Sequence, residues 1–195
     1  MSRKIRINRG ALLFIILLIG IITYLVVLSV TRGKDEALIK DLCSDYITIE
    51  TQYDALPEKY RSDGIDMPAE ELNNYINDMK DAIKLYFIDN ENAYGRLINS
   101  IESSLIRQAG GGAKISKFTK NIIAFTEFEY RGDVVEVSMQ CQNQFEIISD
   151  SNSVAENNYL SDDSIIVQKV DGKWKVVYSN VKSPFDISGD YFGYY

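Results

Sequence analysis

The chain has 195 residues, of which 21 are basic and 28 acidic, and it contains no histidine. Without histidine it cannot form a Ser-His-Asp triad, a Cys-His pair or most kinds of zinc site. Residues 1–34 hold six basic and no acidic residues, which leaves 15 basic against 28 acidic residues in the remainder. A remainder with a net charge near −13 repels phosphate backbones, so we expect no binding to nucleic acid.

The first predicted element is a membrane-spanning helix in the apolar run over residues 11–30. A helix of that length measures about 30 Å, which is the thickness of the hydrocarbon core of a bilayer. We assign residues 1–10 to a basic cytoplasmic segment and residues 11–31 to the span, because excess lysine and arginine marks the cytoplasmic side. The expected location is the cell membrane, single-pass, with residues 35–195 extracytoplasmic. The alternative, a cleaved secretory signal, has a shorter apolar core and a small-residue cleavage site.

Three amphipathic helices are predicted between the span and residue 109. The first ends near Pro57, the second begins at Pro68, and the third is capped by Asp89. Gly33 offers a hinge between the span and the first helix. The apolar residues of the first helix recur three and four positions apart, as on one buried face. That predicted stripe consists of Leu38, Leu42, Tyr46, Ile49, Tyr53 and Leu56.

After the glycines at residues 110–112 the apolar period changes from about 3.6 to 2, which indicates strands. Apolar residues alternate with polar ones over residues 135–147, and a hairpin at Gly132-Asp133 joins this strand to residues 115–130. A second hairpin is predicted around Asp171-Gly172, and residues 149–161 are expected to be a polar linker. The predicted inner face of the first strand carries Ala124, Thr126, Phe128 and Tyr130.

Helices followed by an antiparallel meander predict an α+β domain over residues 35–182, with about three helices packed on a curved antiparallel sheet of about four strands. This order, and the hairpin sequence Asp171-Gly172-Lys173-Trp174-Lys175-Val176-Val177, resemble the nuclear transport factor 2-like, or SnoaL-like, superfamily of cone-shaped domains over residues 35–181. The whole layout is similar to single-span envelope proteins of clostridia-type bacteria. The superfamily resemblance implies a cone-like domain with an internal cavity.

Superfamily enzymes use an aspartate or histidine in that cavity to move protons and a tyrosine to steady an oxyanion. This chain has no histidine, and we expect no aspartate to point inward from a strand. Asn143 is the one polar residue predicted on the inner face of its strand, either as a hydrogen-bonded core position or as a cavity lining.

Cys43 and Cys141 are the only cysteines, and both fall on faces predicted to be buried. Outside the membrane they can pair, because an oxidising compartment permits disulfides. The bond would close a loop of about 100 residues and contribute about 4 to 5 kcal/mol. The alternative is two inert core thiols.

The segment of residues 183–195 is an aromatic tail, where chain termini are normally polar. Exposed aromatic residues favour interfaces, so the tail either contacts a partner or folds back over its own sheet. The candidate contact residues are Phe185, Tyr191, Phe192, Tyr194 and Tyr195.

These patterns predict no catalytic residues, metal ligands or cofactor. The function that we expect is a non-catalytic, membrane-anchored extracytoplasmic module of the bacterial cell envelope, which binds or assembles with a protein or cell-wall partner. An alternative is a small-molecule-binding protein or enzyme that uses the cone-shaped cavity. A third alternative is a spacer with no binding function.

Overall fold

The computed structural model of the protein describes residues 9–62, 64–148 and 154–185. Within these residues three α-helices precede four strands. They are α1 (Arg9–Tyr53), α2 (Ala69–Lys84), α3 (Glu91–Ala109), β1 (Lys114–Arg131), β2 (Val134–Ile148), β3 (Val154–Val170) and β4 (Lys173–Asn180). The strands form one antiparallel sheet in the order β1-β2-β3-β4. The predicted α+β class, with three helices and a four-stranded meander, is confirmed.

The chain divides into two compact units, Met1–Leu38 and Ile39–Tyr195. In the first unit the large apolar side chains of α1 from Leu12 to Leu25 are each 44% to 67% exposed. By length and composition this helix can cross a membrane. The predicted hinge at Gly33 is wrong, since α1 is continuous from Arg9 to Tyr53. One glycine costs a helix only about 1 kcal/mol, which its long helical neighbours offset.

In the second unit one hydrophobic core joins buried side chains of all three helices to the inner face of the sheet. The alternation predicted for β2 is confirmed, because every second residue from Val135 to Ile147 is buried. The second helix begins directly after Pro68, as predicted. The cap of α3 is Asn90 and not Asp89, since the Asn90 side chain accepts a hydrogen bond of 3.0 Å from the backbone N–H of Asn92.

The predicted stripe of the first helix is confirmed at Tyr46, Tyr53 and Leu56, which are buried, but the buried face of α1 is wider than predicted and shifted at its start. Ile39 is completely buried, whereas Leu38 is 56% exposed. The buried face also contains Glu50 and Asp54, which are 4% and 7% exposed. A pattern built from apolar residues alone cannot find a face that includes carboxylates, and this explains the shift.

The predicted inner face of β1 is correct at its end and wrong in its middle. The pairing of β1 with β2 shifts register at three places, and each irregularity changes which side chains point inward. Phe128 and Tyr130 pack against the core as predicted, together with Ile122 and Phe125. Ala124 and Thr126, which were expected inside, are exposed.

The third strand begins much earlier than the sequence predicted. Residues from Val154 to Gln168 pair with β2 in an unbroken antiparallel register, so most of the expected polar linker belongs to the sheet. The turn between β3 and β4 is confirmed at Asp171 and Gly172, which have φ values of 50° and 79°. Positive φ at both positions suits the right-handed twist of a two-residue hairpin.

Candidate functional site

The inner face of the sheet carries a group of buried polar side chains at its centre, which we call the inner polar cluster. In the strand register Lys120 of β1 lies opposite Asn143 of β2, and Cys141 of β2 lies opposite Ser161 of β3. Asp163 follows on the same face of β3. The cluster comprises Lys120, Cys141, Asn143, Ser161 and Asp163, all of which are buried.

Lys120 and Asp163 form an ion pair that is completely withdrawn from solvent. The Lys120 Nζ lies 2.8 Å from Asp163 Oδ2, and both side chains are 0% exposed. The same Nζ donates a hydrogen bond of 2.7 Å to the carbonyl oxygen of Lys182. The backbone N–H of Lys182 donates to Asp163 Oδ1 at 3.3 Å. The pair therefore connects β1, β3 and the segment after β4, and it holds the start of the aromatic tail against the sheet.

The position of Asp163 corrects the expectation that no aspartate points inward from a strand. That expectation followed from placing residues 149–161 in a linker and starting the next strand at Ser164, which left Asp163 outside it. Because β3 begins at Val154, Asp163 lies in the middle of the strand and on the same face as Ile165 and Val167. Strand alternation counted from the true start would have found it.

Asn143 occupies the buried, hydrogen-bonded position that was one of its two predicted roles. Its side-chain nitrogen donates to Ser161 Oγ at 2.8 Å and to the carbonyl oxygen of Tyr159 at 3.3 Å. Its side-chain oxygen has no hydrogen-bond partner among the described residues. Since a buried amide oxygen normally has a partner, this atom is the one unsatisfied acceptor of the inner polar cluster in the described structure.

The structure holds Cys43 and Cys141 as separate, buried thiols. Burial raises the pKa of Cys43 to about 12. The pKa of Cys141 is also raised to about 12, first by burial and then by the negative charge of Asp163. Both thiols are therefore protonated and poor nucleophiles at neutral pH.

We expect the folded protein to resist alkylation by iodoacetamide at pH 8, where a pKa of about 12 leaves about one thiol in ten thousand ionised. Mass spectrometry should find both cysteines modified once the chain is unfolded in denaturant. Rapid labelling of the folded chain would contradict the burial. A chain that stays unmodified after unfolding until a reductant is added would contain the disulfide instead.

A second set of buried polar groups lies where α1 meets β4. Tyr46 is completely buried and packs edge-on against Phe87, with ring centroids 5.7 Å apart. Burial raises the pKa of Tyr46 well above its usual value, and the charge of Glu50 raises it further. The Tyr46 hydroxyl lies beside the side chains of Ser179 and Glu50, and a hydrogen bond with each of them also affects the pKa of Tyr46.

Beside Ser179 the surface opens into a groove of about 740 Å³ between α3 and the end of β4. The first half of α3 forms one wall, and Tyr178 and Ser179 form the other. We call it the α3–β4 groove. The sequence did not predict this groove, because α3 and β4 are far apart in the chain and their proximity in the fold leaves no periodic pattern in the sequence.

Phe185 is the one predicted contact residue that lies within the described structure, and it packs on its own domain. The guanidinium carbon of Arg107 lies 4.3 Å from the centroid of its ring. The ring also adjoins a small apolar cluster around Ile115 and Phe145. The other four predicted contact residues, Tyr191, Phe192, Tyr194 and Tyr195, lie outside the described residues.

No model of a known protein family matches this chain, and no curated protein matches it. The resemblance to nuclear transport factor 2-like domains therefore remains a prediction from the order of elements and the last hairpin.

Proposed function

We propose that the protein is a single-pass, membrane-anchored module of the bacterial cell envelope, whose extracytoplasmic domain binds or assembles with a protein or cell-wall partner without catalysing a reaction. The observation that carries the proposal is the first half of α1. From Leu12 to Leu25 its large apolar side chains are 44% to 67% exposed. A helix that is apolar on all sides needs lipid around it, and the basic residues before it favour a cytoplasmic start.

The hydrogen bonds and the ion pair of the inner polar cluster support a function without catalysis. Lys120 and Asp163 bind each other and the backbone of Lys182, and the Asn143 amide bonds to Ser161 and to β3 backbone. Charged groups in an active site normally face a substrate or a moving proton. Here they connect strands, so their contribution is to the shape of the domain.

The negative net charge of the domain supports a function in which it does not bind anionic surfaces. With 15 basic and 28 acidic residues after residue 34, the domain is repelled by acidic lipid headgroups and by nucleic acids. The charge therefore favours a protein partner or an uncharged wall component. A cone-like shape, as in nuclear transport factor 2-like domains, is part of the same proposal.

The proposal predicts that a membrane-impermeant, amine-reactive cross-linker added to intact bacteria reacts with the full-length chain and joins it to a second macromolecule. Lys117 and Lys59 are suitable targets, because their side chains are 78% and 63% exposed. We expect discrete species of higher mass on a denaturing gel, because a stable partner keeps a fixed set of lysines within reach. A cytoplasmic protein in the same cells, as control, should remain unlabelled.

Two different results would count against two different parts of the proposal. A chain that is labelled only after the cells are lysed would place the domain in the cytoplasm and overturn the orientation. A chain that is labelled in intact cells but yields only monomer would retain the orientation and contradict stable binding to a protein. Repeating the reaction after wall digestion separates a wall component from a protein partner.

A further inference from the structure

The buried pair of Lys120 and Asp163 holds an amine in contact with a carboxyl group, away from solvent. The Lys120 Nζ lies 2.8 Å from Asp163 Oδ2, and both side chains are 0% exposed. The two residues belong to β1 and β3, which lie on either side of β2 in the sheet. Well-oriented groups within one molecule react as if their concentration were about 10⁵ to 10⁸ M, so a fixed contact of this kind strongly favours a reaction between them.

Burial changes which state of the pair is favoured. In water an ammonium and a carboxylate are more stable than the amide that they could form, because both ions are strongly solvated. In a buried site each ion loses that solvation. Moving one proton from Lys120 to Asp163 removes both charges and leaves a neutral amine beside a neutral carboxylic acid. These are the two reactants of amide formation.

Groups around the pair are placed to assist such a reaction. The backbone N–H of Lys182 donates to Asp163 Oδ1 at 3.3 Å, where it stabilises the negative charge that develops on this oxygen during attack. The carbonyl oxygen of Lys182 accepts a hydrogen bond of 2.7 Å from Lys120 Nζ and so orients the amine. The thiol of Cys141 forms a hydrogen bond with the Asp163 side chain, so a group that carries a proton lies beside the carboxyl group.

We propose that Lys120 and Asp163 form an intramolecular isopeptide bond once the domain has folded. The Lys120 Nζ attacks the side-chain carboxyl carbon of Asp163, a C–N bond forms, and the bond from that carbon to Oδ2 breaks. The departing oxygen leaves as water with the two protons that the ammonium group loses. One amide and one water therefore replace the ion pair, and no oxidant or second molecule is needed. The product keeps one N–H and Oδ1, which are the donor and the acceptor of the two hydrogen bonds to Lys182.

The chain contains a matched ion pair that lacks the burial. Lys117 of β1 lies 2.8 Å from Glu146 of β2, but its side chain is 78% exposed. Water solvates this pair and keeps both groups charged. The two pairs have the same distance between nitrogen and oxygen, so a comparison of them separates the effect of burial from that of contact. We expect an amide at Lys120 and none at Lys117.

The test is the intact mass of the full-length chain, purified in detergent and then denatured. We expect a mass lower than that of the sequence by one water molecule. Trypsin should yield a branched peptide that joins residues 118–131 to residues 132–169, because the amide blocks cleavage after Lys120. The Lys117→Arg variant should show the same loss of mass. The Lys120→Arg variant should keep the full mass, because a guanidinium group stays protonated and does not attack.

A folded original chain of full mass would overturn the proposal. A loss of water that persists in Lys120→Arg, as a cyclised aspartate at Asp171-Gly172 would give, would place the modification elsewhere and overturn it as well. A second measurement does not depend on the folding of a variant. Chain that is collected in urea before it can fold should have the full mass and lose one water on refolding, and a mass that does not change on refolding would contradict the proposal.

The ion pair of the structure is the reactant, so measurements on the ion pair itself use freshly folded chain of full mass. The amide would tie β1 to β3 across β2 and fix the centre of the sheet covalently. None of these results depends on the orientation of the domain in the cell or on its partner, so the proposed function and the isopeptide bond can fail independently.

Discussion

Replacing Ile19 and Ile22 by lysine is expected to move the full-length protein from the membrane fraction to the soluble or aggregated fraction. Both residues lie near the centre of the proposed span, and their side chains are more than half exposed. Each lysine at the centre of a spanning helix costs about 2.5 to 3.5 kcal/mol on insertion scales, and each lost isoleucine adds about 0.5 kcal/mol. Together the two changes cost about 6 to 8 kcal/mol, which is comparable with the roughly 4 to 8 kcal/mol that the remaining Leu, Ile, Phe and Val residues of the run contribute.

The measurement is the share of the chain that stays with membranes after extraction at alkaline pH, compared with the conservative variant Ile19→Leu with Ile22→Leu. The leucine variant should pellet like the original chain. Equal retention of the lysine variant would show that the helix does not hold the protein in lipid. The mass of the original chain adds a second readout, because a cleaved signal would shorten it and an anchor would not.

The second large effect is expected from Asp163→Asn, which leaves the buried charge of Lys120 without its counter-charge. Both side chains of the pair are 0% exposed, and breaking a buried pair by removing one partner typically destabilises a protein by about 3 to 5 kcal/mol. Unfolding by urea can be followed through Trp174, the single tryptophan, which is 9% exposed in β4. We expect a much lower midpoint for the variant.

The double variant Lys120→Met with Asp163→Leu separates the cost of an unpaired charge from the value of the pair. Replacing both partners by apolar residues of similar volume is often neutral or stabilising, so we expect it to recover most of the lost stability. As a surface control, Lys117→Met breaks the pair with Glu146 in which the lysine side chain is 78% exposed. Its midpoint should hardly change, because exposed pairs are screened by water and salt. An unchanged midpoint for Asp163→Asn would contradict the role of the buried pair.

If the inner ion pair is lost, the start of the tail should be released as well. The backbone of Lys182 contacts both members of the pair, and the next residues lead to Phe185 on Arg107. The stability of the sheet and the position of the tail are therefore linked through Lys182.

The elements that the sequence predicted well are those whose signal is local. The long apolar helix, the Pro68 start of α2 and the Asp171-Gly172 turn each depend on residues close together in the chain. The alternation of β2 was also predictable, because this strand lies between two neighbours and buries one face along its whole length. Apolar periodicity follows directly from which side chains are buried, and turn residues follow from the backbone geometry that a turn requires.

The failures occur where the pattern is interrupted or polar. The irregular register of β1 shifts its inner face, and no residue type marks the positions of the shifts. The first half of β3 reads as a linker because its residues are polar, yet pairing with β2 makes it a strand. Gln108 is a further polar residue whose burial the sequence pattern did not indicate. It is completely buried and bonds to the backbone of Asp54 and Ile115, which are far apart in the sequence.

Composition and residues a few positions apart were enough to predict the long apolar helix, the acidic charge of the remainder, the α+β class and the two turns. The folded structure was needed to show that Lys120 and Asp163 meet and that Ser179 lies beside a groove. These facts depend on contacts between residues more than forty positions apart, such as the 43-residue separation of the ion pair. Such contacts are set by how the strands align and how the helices pack, and a buried charge leaves no periodic trace in the chain.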